Sequence, residues 1–142
     1  MIRSFRCALR GLVRVVREER NMRLHLAAVY YVVLAGFFFG VKDPSAWAAL
    51  FVTCGAVIGA EALNSALERL CDAMKPDPSP AVGAVKDIAA GGVLACAVAA
   101  VCVAFAVFWG RPVPPGWLGS PALWAGAAGA PFWIWFTVSI KR

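Results

Sequence analysis

Apolar and polar positions alternate along the chain in a way that predicts a series of helices. Over residues 2–20, Ile2, Phe5, Leu9, Leu12, Val13 and Val16 recur every three or four positions between Arg3, Arg6, Arg10, Arg14 and Arg17. That spacing is the period of an amphipathic helix, and a basic face opposite an apolar one predicts a helix lying at a membrane surface. Residues 24–40, LHLAAVYYVVLAGFFFG, carry no formal charge outside His25 and predict a first membrane span. The K-D-P-S run at 42–45 interrupts it, with Asp43 or Ser45 placed to cap the next helix.

A second span is expected over 47–74, opened by Trp47 as an interfacial anchor. At ~1.5 Å per residue it runs about 42 Å against a hydrocarbon core of ~30 Å, so its last turns should emerge at one surface. K-P-D-P-S-P at 75–80 turns the chain into a third span over 82–109, whose alanines and glycines suit close helix packing. R-P-V-P-P-G at 111–116 ends it. Residues 121–140 then read as a fourth hydrophobic helix, with Pro131 and clustered tryptophans leaving a kinked or interfacial helix as the alternative.

Composition narrows the class. The chain has 142 residues, 61% of them hydrophobic and 15% charged, with a mean hydropathy of +0.73. A soluble domain of this size cannot bury that much apolar surface, which predicts an all-α integral membrane protein. The net charge is +6, and Arg3, Arg6, Arg10, Arg14, Arg17, Arg20 and Arg23 supply half of the 14 basic residues. Beside membrane spans, such a cluster fits an anionic bilayer surface rather than nucleic acid. Cys7, Cys54, Cys71, Cys96 and Cys102 show no C-x-x-C spacing and read as small buried hydrophobes. The N-terminal apolar residues are interleaved with arginines, so no cleavable signal is expected. The positive-inside rule places the N-terminus, Lys75, Lys86, Lys141 and Arg142 on the cytoplasmic side, and Lys42 and Arg111 outside.

The second span carries one feature that a lipid-facing helix has no use for. Within E-A-L-N-S-A-L-E-R-L-C-D (61–72), Glu61, Asn64, Ser65, Glu68 and Asp72 fall on one face. A charge at the bilayer centre costs roughly 2.5–3.5 kcal/mol on insertion scales, so such residues usually face protein or water. Glu61 lies about 10 Å deeper than Glu68, two helical turns away. The expected topology brings Glu18, Glu19, Glu68, Asp72, Asp77, Lys86 and Asp87 to or near the cytoplasmic face. Carboxylates there suit chemistry on a lipid headgroup. Glu61 would act as base for a hydroxyl, Glu68 with Glu19 or Asp72 would hold Mg²⁺, and Lys86 would reach phosphate oxygens.

Two other readings stay open on these grounds. The polar residues could join helices to one another or pair with Arg69 and Arg23 in an oligomer. They could also line the ion path of a small transporter or channel subunit, although the first and third spans lack acids beyond their cytoplasmic ends. No P-loop or soluble-kinase motif is present. His25 reads as a packing or interfacial residue, Arg23 as a headgroup or phosphate contact.

F-R-C-A-L-R-G-L (5–12), E-R-N-M-R-L-H (19–25), the 61–72 block and K-D-I-A-A-G-G-V-L (86–94) stand in the order and spacing of a known family. Over residues 5–109 the chain resembles the small bacterial membrane lipid kinases, prokaryotic diacylglycerol kinase and undecaprenol kinase. The resemblance implies a surface helix and three spans per subunit, assembled as a homotrimer in the bacterial inner membrane, with the active site on the cytoplasmic side. It implies transfer of the γ-phosphate of ATP, with Mg²⁺, to the hydroxyl of undecaprenol or, as runner-up, diacylglycerol. By motif, Glu61 resembles the general base, Asn64 an orienting residue, and Glu19 and Glu68 the ligands of the nucleotide-bound metal. Asp77, Lys86 and Asp87 resemble nucleotide contacts, and Asp72 a supporting polar position. Ser79-Pro80 and Gly83 depart from a His-Pro and a lysine common in the family. On this view residues 1–109 form the lipid-kinase domain, and 110–142 a Pro-rich linker with an extra hydrophobic helix.

Overall fold

The structure, a computed structural model, describes residues 2–74 and 79–139. Among these residues the chain is all helical: α1 (Ile2–Glu18), α2 (Arg20–Phe38), α3 (Pro44–Met74), α4 (Pro80–Phe108), a single 3₁₀ turn at Trp117–Gly119, and α5 (Pro121–Ser139). The helices α2, α3 and α4 are long and apolar enough to cross a membrane. The K-P-D-P segment at 75–78, Asp77 included, lies outside the described residues.

The break between α1 and α2 falls at Glu19, earlier than the expected gap between residues 20 and 24. Glu19 is extended, with φ −100° and ψ 121°. No glycine or proline marks the spot. The break is held by Arg23, which reaches back to donate to the Val16 and Arg17 carbonyls at 3.2 and 2.9 Å. Those carbonyls belong to the last turn of α1, where no helical N–H follows to satisfy them. Arg23 is 1% exposed, so it is an internal helix cap and not the headgroup contact expected of it.

The end of α2 is written in its sequence. Gly40, at φ 60°, takes the left-handed conformation after the helix. Its N–H donates to Phe37 O, and that of Val41 donates to Gly36 O, the paired bonds of a Schellman motif. Asp43 then begins α3 as expected, accepting the Ser45 N–H at 3.0 Å and the Ser45 hydroxyl at 2.7 Å. Pro44 occupies the first helical position, where a missing N–H costs nothing.

The spans α2, α3 and α4 run up and down in an antiparallel array, with α3 packed against both neighbours. What they enclose inverts the pattern of a soluble core. Met22, Val41, Leu50, Val57 and Val93 are the buried apolar side chains, and Arg23, Glu61, Asn64 and Ser65 are buried beside them. Large apolar residues such as Phe37, Val52, Ile88 and Phe105 face outward. Lipid takes the place of a protein core, and the polar groups turn inward. None of the five cysteines is fully buried, contrary to expectation: Cys7 and Cys102 are exposed and the rest half-buried. Their helices present apolar surface outward, where no protein covers them.

The expected fourth hydrophobic helix forms as α5 and continues through Pro131. Among the described residues the helices long and apolar enough to cross a membrane are α2, α3 and α4, and α5 is not one of them. It lies antiparallel on α2, where Tyr30 and Tyr31 donate to the Ala125 and Gly126 carbonyls at 2.9 and 3.4 Å. At ~100° per residue, Tyr30, Tyr31 and Leu34 fall on the side of α2 opposite His25 and Val29. The helix α2 is therefore held between α5 on one side and α3 with α4 on the other.

Candidate active site

The polar stripe of α3 faces inward, toward α2 and α4. Glu61 is 2% exposed, and Ser65 and Asn64 are buried with it. The Ser65 hydroxyl donates to the Glu61 carbonyl at 3.0 Å within the helix, so it needs no partner elsewhere. Asn64 works differently. Its Nδ2 donates to Glu68 Oε1 at 3.0 Å. An ionised carboxylate can only accept, which turns the amide nitrogen toward Glu68 and leaves the buried Oδ1 without a partner.

Glu61 and Asn64 stand in the wall of a polar cavity of about 270 Å³, completed by Asn21, Leu24 and His25 of α2 and by Ala90, Val93, Leu94 and Ala97 of α4. A second cavity, of about 200 Å³, continues along the same helices toward the other end of the bundle. Its lining is almost wholly apolar, from Val29 and Val32 through Leu50 and Val57 to Ala100, Val101 and Ala104. The two cavities share His25 and Ala97. Alanines on the inner face of α4 leave the room for both, since a larger side chain at 97, 100 or 104 would fill it.

At the other end of the stripe the charges pair. Arg69 binds Glu18 at 2.7 Å and Glu19 at 3.2 Å, tying the α1–α2 break to α3. Glu19 and Glu68 both lie close enough to Glu61 to act on it electrostatically. Lys86, in the second turn of α4, pairs with Asp72 at 2.5 Å, and Glu68 lies within electrostatic reach of it. Asp87 is exposed and makes no ion pair among the described residues. The structure thus places Glu19 and Glu68 within electrostatic reach of Glu61, bonds Asn64 to Glu68, and sets the Lys86–Asp72 pair within reach of Glu68. Asp77, the remaining site residue expected from the sequence, lies outside the described residues.

The donor set suits a hard divalent cation. Glu19 and Glu68 offer carboxylate oxygens, and the orphaned Oδ1 of Asn64 is a third hard acceptor nearby. Among the described residues no group of three or more His, Cys, Asp and Glu side chains forms a metal cage.

The sequence reading missed one feature of the site. Asn21 and His25, four apart on one face of α2, line the polar cavity, and their i, i+4 spacing was the available signal. Arg69 pairs with acids as its sequence reading allows, but with Glu18 and Glu19 of its own chain instead of across an oligomer.

An apolar cavity that shares His25 and Ala97 with a cavity lined by the buried Glu61, inside a bundle of span-forming helices, suits a class of membrane enzymes that act on the polar end of a lipid. Residues 6–108 match the family described as prokaryotic diacylglycerol kinase, and the chain belongs to that family of membrane lipid kinases. It is similar to the undecaprenol kinase of Bacillus subtilis (strain 168), 33% identical over 106 residues that cover 75% of this chain and 85% of that relative. No solved structure matches it. A lipid kinase replaces the alternative of an ion path. Its family implies phosphoryl transfer between a nucleotide and a lipid, a reaction that typically employs a divalent metal.

Proposed function

We propose that the protein transfers the γ-phosphate of ATP to the terminal hydroxyl of undecaprenol, giving undecaprenyl phosphate, at the cytoplasmic face of the inner membrane. The observation that carries this reading is that the apolar cavity and the Glu61–Asn64 cavity lie next to each other, with His25 and Ala97 lining both. A hydrocarbon chain lying between α2, α3 and α4 would present its hydroxyl to Glu61. The name of the similar Bacillus protein favours a polyprenol, while the family's description keeps diacylglycerol as the second acceptor to assay.

In this mechanism Glu61 accepts the proton of the lipid hydroxyl as its oxygen attacks the γ-phosphorus. The new O–P bond forms while the bridge to the β-phosphate breaks and ADP leaves. Asn64 holds Glu68 in place, and Glu68 with Glu19 would carry the nucleotide's Mg²⁺, which neutralises phosphate charge when bound. Lys86 and Asp87 contact the nucleotide, joined by Asp77 from the adjoining turn. Phosphoryl transfer rests on positioning and charge neutralisation more than on covalent chemistry, so a few acids, one lysine and a metal suffice. The basic face of α1 lies against anionic headgroups, its Phe5, Leu9 and Leu12 toward the acyl boundary. The working unit is a homotrimer of the domain spanning 1–109, with 110–142 an appendage.

The test is a parallel assay of purified protein with Mg-ATP on undecaprenol and diacylglycerol in mixed micelles. Undecaprenol is expected to be phosphorylated with the higher kcat/KM, and Glu61→Gln to abolish turnover. Preference for diacylglycerol would overturn the acceptor assignment.

A further inference from the structure

We infer that His25 is a substrate-positioning residue, which hydrogen-bonds the acceptor hydroxyl at the point where the hydrocarbon cavity meets the carboxylate cavity. The inference rests on the lipid-kinase reading above and adds a specific role to a residue that the sequence pattern assigns to packing. Three observations carry it. His25 lines both cavities, and the other residue they share, Ala97, has no polar side-chain atom. Beyond His25 the apolar cavity offers only one other hydroxyl or amide side chain, Thr53. That hydroxyl is committed to the Ala49 and Leu50 carbonyls of its own helix at 2.9 and 3.1 Å. The imidazole itself makes no hydrogen bond among the described residues, which leaves its nitrogens unspent on the protein.

An imidazole at such a junction performs a task that neither wall can. The apolar wall holds the chain without fixing how far it slides, and Glu61 accepts a proton only when the hydroxyl oxygen reaches it. A neutral ring offers one N–H donor and one bare nitrogen acceptor. Donating to the lipid oxygen leaves the hydroxyl proton free to point at Glu61 and fixes the depth of the chain. Correct placement of a reacting atom is worth as much as 10²-fold in rate for each ~1 Å.

His25 is the sole histidine in the chain, which makes the test direct. In full-length protein labelled with ¹⁵N-histidine, the ring nitrogens are followed while farnesol, a short isoprenoid alcohol, is added without nucleotide. A shift with farnesol, and none with the corresponding hydrocarbon farnesene, is expected. Equal responses to both probes would reduce His25 to cavity lining and overturn the inference. In turnover assays, His25→Leu should lower kcat/KM for the lipid 10- to 100-fold with the KM for ATP unchanged, and His25→Gln should restore part of the loss. A packing role predicts the reverse order, with the apolar Leu variant the better enzyme. If His25→Leu does not insert stably, Ala97→Leu, which plugs the same junction, is expected to block farnesol from shifting the ring signals; an unchanged shift would overturn the inference. An inactive wild-type protein on either lipid would instead sink the functional reading itself. An active wild type matched by His25→Leu would sink only this inference.

Discussion

The Asn64 side chain donates to Glu68 Oε1 at 3.0 Å, one helical turn along α3, while its own carbonyl oxygen stays buried without a partner. This bond links the deep end of the stripe, beside Glu61, to its shallow end, where the charges pair. Asn64→Ala frees the Glu68 carboxylate to rotate and removes the orphaned acceptor. Turnover is expected to fall roughly 10²-fold, with the circular dichroism and the KM for ATP little changed. Near-normal kcat in the Ala variant would show that Glu68 needs no such tether.

Glu61 and Glu68 are assigned different tasks, and their variants separate them. Glu68→Gln weakens a metal ligand, so activity should return in part as Mg²⁺ is raised. Glu61→Gln removes the proton acceptor, and no concentration of Mg²⁺ should restore it. Rescue of both variants by Mg²⁺ would contradict the assignment of Glu61 as base.

Lys86 pairs with Asp72 across the α3–α4 connection, with the Asp72 side chain largely open to water and that of Lys86 34% exposed. An exposed pair of this kind adds little to stability. Asp72→Asn should therefore leave thermal unfolding almost unchanged. Lys86→Met should raise the KM for ATP about tenfold, the order of a lost charge-assisted phosphate contact. A large drop in melting temperature for Asp72→Asn would make the pair structural.

The polar face of α3 was legible from sequence because a helix repeats every 3.6 residues and each misplaced polar group in lipid stands out. The Asp43 cap was legible for a local reason, since its partner Ser45 lies two residues away. The break at Glu19 was not. It depends on Arg23 folding back over the end of α1, and no glycine or proline announces it. The His25 junction was hidden for another reason. A cavity is set by what is missing, and Ala97, Ala100 and Ala104 carry the same hydropathy signal whether they face space, lipid or another helix. The α5 helix shows a third limit, because its length and hydropathy say nothing of its packing along α2, which rests on Tyr30 and Tyr31.

Asp43 gives the chain an acid-sensitive helix start. Hydrogen bonds from the Ser45 side chain and backbone hold its carboxyl below the ordinary aspartate value. A group with a lowered native pKa stabilises the fold above its unfolded value, near ~3.9, and that contribution is lost as pH falls through the native value. Asp43→Ala should lower the melting temperature at pH 7, and the gap to wild type should close toward pH 3. A gap independent of pH would rule out the charged cap.

Gly36 sits under the indole of Trp47, which is itself anchored by donating Nε1–H to Val41 O at 2.9 Å. A Cβ at position 36 would overlap the Trp47 ring. Gly36→Ala should therefore cost about 1–3 kcal/mol, the usual penalty of overpacking. The double variant with Trp47→Leu should recover part of it. Thermal unfolding in detergent measures both, and simple additivity of the two changes would sink the proposed clash.

The α5 helix lies beyond the residues 6–108 that carry the family match, and it contacts α2 on the side turned away from the cavities. A chain ending at Arg111 keeps every residue assigned to the reaction and both walls of the lipid cavity. It should phosphorylate lipid at close to the full-length rate. Its stability should suffer, because the Tyr30 and Tyr31 hydroxyls lose their acceptors in Ala125 and Gly126. Tyr30→Phe in the full chain isolates one such bond and is expected to cost about 1 kcal/mol. Gly129→Val, whose side chain would collide with the Tyr30 ring, should reproduce the loss of docking without deleting anything. Melting curves alongside turnover distinguish the outcomes. A truncated enzyme that is folded yet inactive would make α5 part of the working site, and with it the whole 110–142 segment.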